Sequence, residues 1–126
     1  MSNISSAFLK NFKAETAVPR HRICKFGAND TAVVLATAAA DLSFGVSAEI
    51  DAEIGEPCDV AIMGLVPVTY GGVVARGNLL TSDALGRAVA AAPGAGVSVE
   101  VIGRAMIAGV LGDIGSVNLS PSRVRG

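Results

Sequence analysis

The sequence predicts an all-β fold, a small β-barrel or β-sandwich with an extended N-terminal arm. Three observations carry the prediction. Short apolar runs with period-two alternation recur from Arg20 onward. Glycine, 15 in all, interrupts these runs at the spacing of short strands joined by tight turns. The apolar half of the chain is mostly Ala, Val, Ile and Leu, with 4% aromatics and no Trp, which suits thin, closely packed sheets. At 126 residues one core is expected, divided into an arm over 1–19 and a single β domain over 20–126.

Taken in order, "MSNISSAFLKNFKAETAVP" is polar, with isolated Phe8, Leu9 and Phe12, and ends at Pro19. A helical turn around Phe8–Phe12 is compatible with it. These three residues have no local core, so a neighbouring surface is expected to bury them, and removal of 2–18 is expected to leave the β domain folded. "RHRICKF" reads as a strand with Ile23 and Lys25 on one face and Cys24 and Phe26 on the other, before the turn "GAND". "TAVVLAT" is a buried strand. "TAAAD" admits a helical turn before the strand "FGVSAEI". "EPCDVAIMG" sets Cys58, Val60 and Ile62 against Asp59, Ala61 and Met63. In "LVPVTYGG", Pro67 belongs at a sheet edge or bend. "VSVEVIGRAMIAGV" places Val97, Val99 and Val101 on one face, and "GSVNLSP" closes the pattern.

"RGNLLTSDALGRAVAAAPGAG" is the ambiguous stretch. A helix over 83–92 would bury only Leu85 and Val89, too narrow a stripe. A hairpin has strands at Asn78–Thr81 and Arg87–Ala91, a turn over Asp83–Gly86, and Leu80 facing Ala88. Gly86 supplies the positive φ that such a turn requires. The hairpin is the reading adopted, because the modest helix preference of Ala yields to context.

Charge is distributed unevenly around a net of −1. Residues 1–25 hold five bases against Glu15, and residues 26–60 hold seven acids and no base. A basic segment followed by an acidic belt suits contact between copies or with another charged surface. The net charge gives no case for nucleic acid, and no run approaches the ~20 apolar residues of a membrane span. The opening lacks the apolar core of a secretory signal, so synthesis in the cytoplasm is expected, with Cys24 and Cys58 as buried free thiols.

No catalytic constellation emerges. His21 stands alone between Arg20 and Arg22, whose charges disfavour its protonation, and no second histidine exists to make a metal pair. On a strand, Glu49, Asp51 and Glu53 would share one face at ~6.6 Å steps. That row supports an alternative reading, a small β-barrel ligand-binding or enzymatic module, although charged rows more often guard a strand edge. "GAGVSV" and "GGVVARG" lack the residues of nucleotide-binding loops. No catalytic, cofactor-binding or metal-binding residue is assigned, and no enzyme is expected.

The ordered motifs at Gly45–Ala48, Gly72–Val89, Ile102–Ala105 and Gly112–Val117 resemble the capsid decoration (cement) proteins of tailed bacteriophages. The likeness covers about Phe44 to Pro121. The resemblance implies a small β-barrel or β-sandwich on the outer capsid surface, made in the host cytoplasm and bound to the major capsid protein. It also implies a homo-oligomer, a trimer before a dimer, and supports the hairpin reading. The N-terminal segment falls outside the resemblance. Its charge and apolar residues make Phe8, Leu9, Lys10, Phe12, Lys13, Arg20 and Arg22 the expected capsid or subunit contacts. The rivals are the enzymatic or ligand-binding module and a host-encoded oligomeric scaffold.

Overall fold

The computed structural model describes residues 7–126. Nine strands make up its regular structure: β1 (Ala7–Ala14), β2 (Ile23–Phe26), β3 (Ala32–Leu35), β4 (Ser43–Ser47), β5 (Pro57–Thr69), β6 (Leu79–Ser82), β7 (Ala88–Ala90), β8 (Ser98–Ala105) and β9 (Ile114–Arg125). Among the described residues there is no helix. "TAAAD" forms bends and turns instead, with Asp41 accepting hydrogen bonds from the Thr37 N–H and hydroxyl.

The sheet runs β1-β3-β2-β4-β5-β9-β8-β6-β7, and a further β1–β5 pairing closes its first five strands into a barrel. β1 runs parallel to β3 through Lys13↔Ala32 and antiparallel to β5 from Ala7↔Gly64 to Lys13↔Pro57. Within the segment read as an arm, residues 7–14 are therefore a barrel stave, and Val18 bridges to Ala52. The helical turn considered at Phe8–Phe12 is corrected to strand. Phe12 is also corrected: it is buried in the barrel of its own chain and needs no neighbour to cover it. Residues 1–6 of the expected arm lie outside the described residues.

Period-two alternation serves two cores. Phe12, Ala14, Val18, Cys24, Val33, Cys58 and Val60 fill the barrel, with Phe44 and Ile62 packed against them. The opposite faces of the same strands, through Ile23, Val46 and Ala61, join Val66, Val68, Tyr70, Leu80, Ile102 and Val117 in a second core. The extension β9-β8-β6-β7 covers that second core. Its hairpin docks on β2, where the Ile23 N–H donates to the Gly86 carbonyl at 2.7 Å and Arg22 Nη1 donates to the Leu85 carbonyl at 2.8 Å.

The hairpin is present. Asp83 Oδ1 accepts from the N–H groups of Leu85 (2.9 Å) and Arg87 (2.8 Å), and Gly86 has φ 73°. Leu80 pairs with Ala90 and Ser82 with Ala88, two residues from the expected facing pair. "EPCDVAIMG" and "LVPVT" are one continuous strand, β5, and Pro67 lies beyond the last β1 and β4 partners, where β9 alone pairs with it, the sheet edge expected for it. The Thr69 N–H donates away from β9 to the His21 carbonyl, and Pro67, two residues earlier, points the same way. Its missing N–H therefore removes no bond from the β5–β9 ladder. Pro121 sits in β9 where two residues, Ser120 and Pro121, oppose Ile102 alone, a bulge that accommodates proline.

Candidate interaction surface

Three exposed features stand out, and each is built from residues distant in sequence. The first is one end of the barrel. β1, β2 and β4 bring Phe12, Phe26 and Phe44 together: Phe26 and Phe44 stack at 4.4 Å and 12°, and Phe12 tilts against Phe44 at 5.3 Å. The Lys10 ammonium lies 5.3 Å from the Phe12 ring centroid, a cation–π contact. Three of the four phenylalanines thus cap one barrel end, with Phe26 60% exposed. Sequence reasoning missed this cluster because its members are spread from position 12 to position 44.

The second feature is the loop 48–56 between β4 and β5. Val18 and Ala52 exchange N–H···O bonds of 2.8 and 2.9 Å, and the Gly55 N–H donates to the Ala14 carbonyl at 2.8 Å. The Arg20 N–H donates to Asp51 Oδ1 at 2.8 Å, and Arg20 Nε lies 3.4 Å from the same oxygen. That N–H bond, followed by the Arg20 charge, holds the Asp51 carboxyl below the usual carboxylate range. Tied in this way, the loop exposes Ile50 (81%) and Ile54 (72%). Glu49, Asp51 and Glu53 lie on this loop and not on a strand, which corrects the shared face expected for them. Among the described residues no three His, Cys, Asp or Glu side chains are placed to hold a metal ion.

The third feature is the loop 106–113 and the segment beside it. Tyr70 is fully buried and organises both: its hydroxyl donates to the Ile107 carbonyl at 2.7 Å, its N–H to the Asp113 carbonyl at 2.8 Å, and its carbonyl accepts from Gly112 at 2.9 Å. Val74 and Gly109 exchange N–H···O bonds of 2.9 and 3.0 Å. Asp113 Oδ2 accepts from the Val110 N–H. With its backbone groups satisfied internally, the loop exposes Met106, Ile107, Val110 and Leu111, with Val73 and Ile114 at its margins. Residues 106–110 form a loop where the sequence predicts strand. The signal for a loop was three glycines in "GVLGDIG", too many turn positions for its apolar residues all to face inward.

The expected contact residues do not form one patch. Phe8 is 57% exposed, Lys13 is exposed on the outer face of β1, and Leu9 packs partly against the second core. Lys10 and Phe12 belong to the barrel end, with Phe12 buried. Arg20 is engaged by Asp51 and Arg22 by the Leu85 carbonyl, so part of the basic segment is satisfied within its own chain by the acidic belt and the hairpin. Asn11 on β1 likewise donates to Asp59 on β5 at 3.0 Å.

His21 adopts φ 58° and is partly buried, with Nδ1 lacking a hydrogen-bond partner. Burial is the main cause holding its pKa below the ordinary value; Arg20 adds to this, while Glu49 and Asp51 oppose it. Cys24 and Cys58 are free thiols inside the barrel. Burial pushes Cys58 up to about 11 and Cys24 higher still. Neither is a poised nucleophile.

The sequence pattern of the phage cement protein family matches residues 9–113, from β1 to the end of the Tyr70-anchored loop. Among solved structures, the chain is similar to the head fiber gp8.5 N base in bacteriophage phi29, with a TM-score of 0.65 at 20% identity. That likeness, which is one of fold, covers 94% of this chain and 98% of the other. No curated protein matches.

Proposed function

Because this chain belongs to the phage cement protein family, a family of phage structural proteins associated with the capsid, we propose that it binds the outer surface of the major capsid protein shell and stabilises it. The family match over 9–113 carries this reading, since it takes in the barrel strands and β6, β7 and β8 of the extension. The protein acts without catalysis, as a homo-oligomer with a trimer favoured, and is made in the host cytoplasm before joining the virion. Of the expected contacts, Phe8, Lys10 and Lys13 keep exposed side chains on β1 and are proposed to meet the shell or a sister subunit. Val110 and Leu111, exposed on a loop whose backbone groups are bonded internally, support the same reading, because a contact surface ordered in advance loses little entropy on binding.

The test is co-sedimentation with capsids stripped of the protein. Saturable binding, together with a higher temperature for capsid disruption, is the expected result. Absence of binding over a full concentration series overturns the proposal. The alternative module built on Glu49, Asp51 and Glu53 lacks the shared strand face it requires, because all three lie on loop 48–56.

A further inference from the structure

We infer that copies of this chain join head to tail, the isoleucine-bearing loop 48–56 of one seated on the Val73, Arg76, Arg104, Met106 and Ile107 face of the next. The inference rests on the homo-oligomer part of the reading above and is independent of capsid binding.

Both features flank β5, Pro57–Thr69. Loop 48–56 immediately precedes Pro57, and the segment beginning at Tyr70 immediately follows Thr69. The two features therefore flank one strand in sequence, and among the described residues no hydrogen bond or salt bridge joins them within a copy.

Both ends are apolar and held rigid. Ile50 and Ile54 protrude from the first, and Val73 (79% exposed), Met106 and Ile107 from the second. At the second end, segments 73–77 and 105–109 lie side by side through the Val74–Gly109 bridge and the Gly77 N–H to Ala105 carbonyl bond of 2.8 Å.

Their charges are opposite. The salt bridges among the described residues are Arg20–Asp51, Lys25–Asp41, Arg87–Asp83 and Arg123–Glu100. Glu49 and Glu53 beside the isoleucines are not among these carboxylates, and Arg76 and Arg104 are not among these cations. Arg104 Nη1 donates to the Gly77 carbonyl at 2.8 Å, which fixes its guanidinium one residue from Arg76. A second copy thus offers what the loop requires: an apolar face with two cations at its edge. Contact between unlike surfaces is heterologous, so each copy uses both ends and the contacts close into a ring when the rotation allows. Each patch exposes on the order of a few hundred Å², below the ~800 Å² per partner of a standard stable pair. Association is therefore expected to depend on concentration and on salt.

Charge reversal tests the pairing, read by sedimentation velocity over a concentration series with a thermal melt to verify each fold. The wild type is expected to self-associate. Glu49→Lys with Glu53→Lys, and separately Arg76→Glu with Arg104→Glu, should each weaken association about 100-fold through like-charge contact. All four changes in one chain should restore it to within about tenfold of wild type. If the fourfold variant does not fold, an equimolar mixture of the two double variants serves, because each supplies the complement of the other, and pairwise association is then scored in place of ring closure. A wild type that stays monomeric overturns the inference. So do double variants that associate like wild type, or a fourfold variant or mixture no better than the doubles. Capsid binding is scored separately with wild type. Restored self-association without capsid binding defeats the capsid reading alone, and capsid binding by a protein that never self-associates defeats this inference alone.

Discussion

His21 is, among the described residues, the non-glycine residue with left-handed backbone, at φ 58°. Backbone bonds hold it there: its N–H lies 3.2 Å from the Ser47 and Ala48 carbonyls, and its carbonyl accepts from Thr69. His21→Gly is expected to match or exceed wild-type stability by up to ~1 kcal/mol, and His21→Val to lose about 1–2 kcal/mol, because a β-branched residue resists this conformation. Urea unfolding measures both. The lowered pKa of His21 gives a sign to the pH dependence. Below the ordinary value of 6.5 the unfolded chain takes up the proton first, so this contribution to stability is present above 6.5 and lost as pH falls toward the folded value. His21→Gly should flatten that part of the acid limb. With Cys58 at about 11, roughly one molecule in a thousand carries its thiolate at pH 8. Intact mass should therefore show no alkylation of the native protein in a time that adds two labels in denaturant; a label on native protein would contradict the buried assignment. Gly115 illustrates a constraint hidden from the sequence, since a Cβ there would fall inside the Tyr70 ring. Gly115→Ala should destabilise by about 2–3 kcal/mol in the same unfolding assay.

At the scale of elements, what could be read from the sequence was what local chemistry decides. The β6–β7 hairpin follows from Asp83 and Gly86, which settle their turn within five residues. Asp83 also binds Arg87 Nε through Oδ2 at 2.8 Å. Asp83→Ala removes the acceptor for three donors and should cost about 2–3 kcal/mol in denaturant unfolding, with Asp83→Asn costing less. β2 and the first half of β5 were likewise visible in their alternation, and β3 in its short β-branched run. The errors came where distant partners decide. β1 alternates polar and apolar residues weakly, and its antiparallel partner ends at Gly64, 50 residues beyond Ala14. The row at Glu49, Asp51 and Glu53 looked like strand because its alternation is good, yet Arg20 and Val18 fold it into a loop. The Phe12–Phe26–Phe44 cluster required the barrel itself to become visible.

At the scale of the whole molecule, an all-β barrel was foreseeable from glycine spacing and small side chains, but its seam was not. Because β1 closes the ring against both β3 and β5, removal of residues 2–18 is now expected to unfold the barrel, against the sequence-based expectation. Far-UV circular dichroism and the loss of a cooperative melt would report it, and a cooperatively folded truncation would contradict the stave assignment. Phe12→Ala is the milder version and should cost about 3–5 kcal/mol. The same seam gives the protein a timetable. The first strand made is the one that seals the ring, and its last partner is not finished until Gly64 has been added. At roughly 5–20 residues per second, the 50 residues from Ala14 to Gly64 take about 3–10 s to synthesise. Throughout that interval Phe12 and Ala14 belong to a strand without its closing neighbour, and two chains growing on adjacent ribosomes have those seconds in which to exchange first strands.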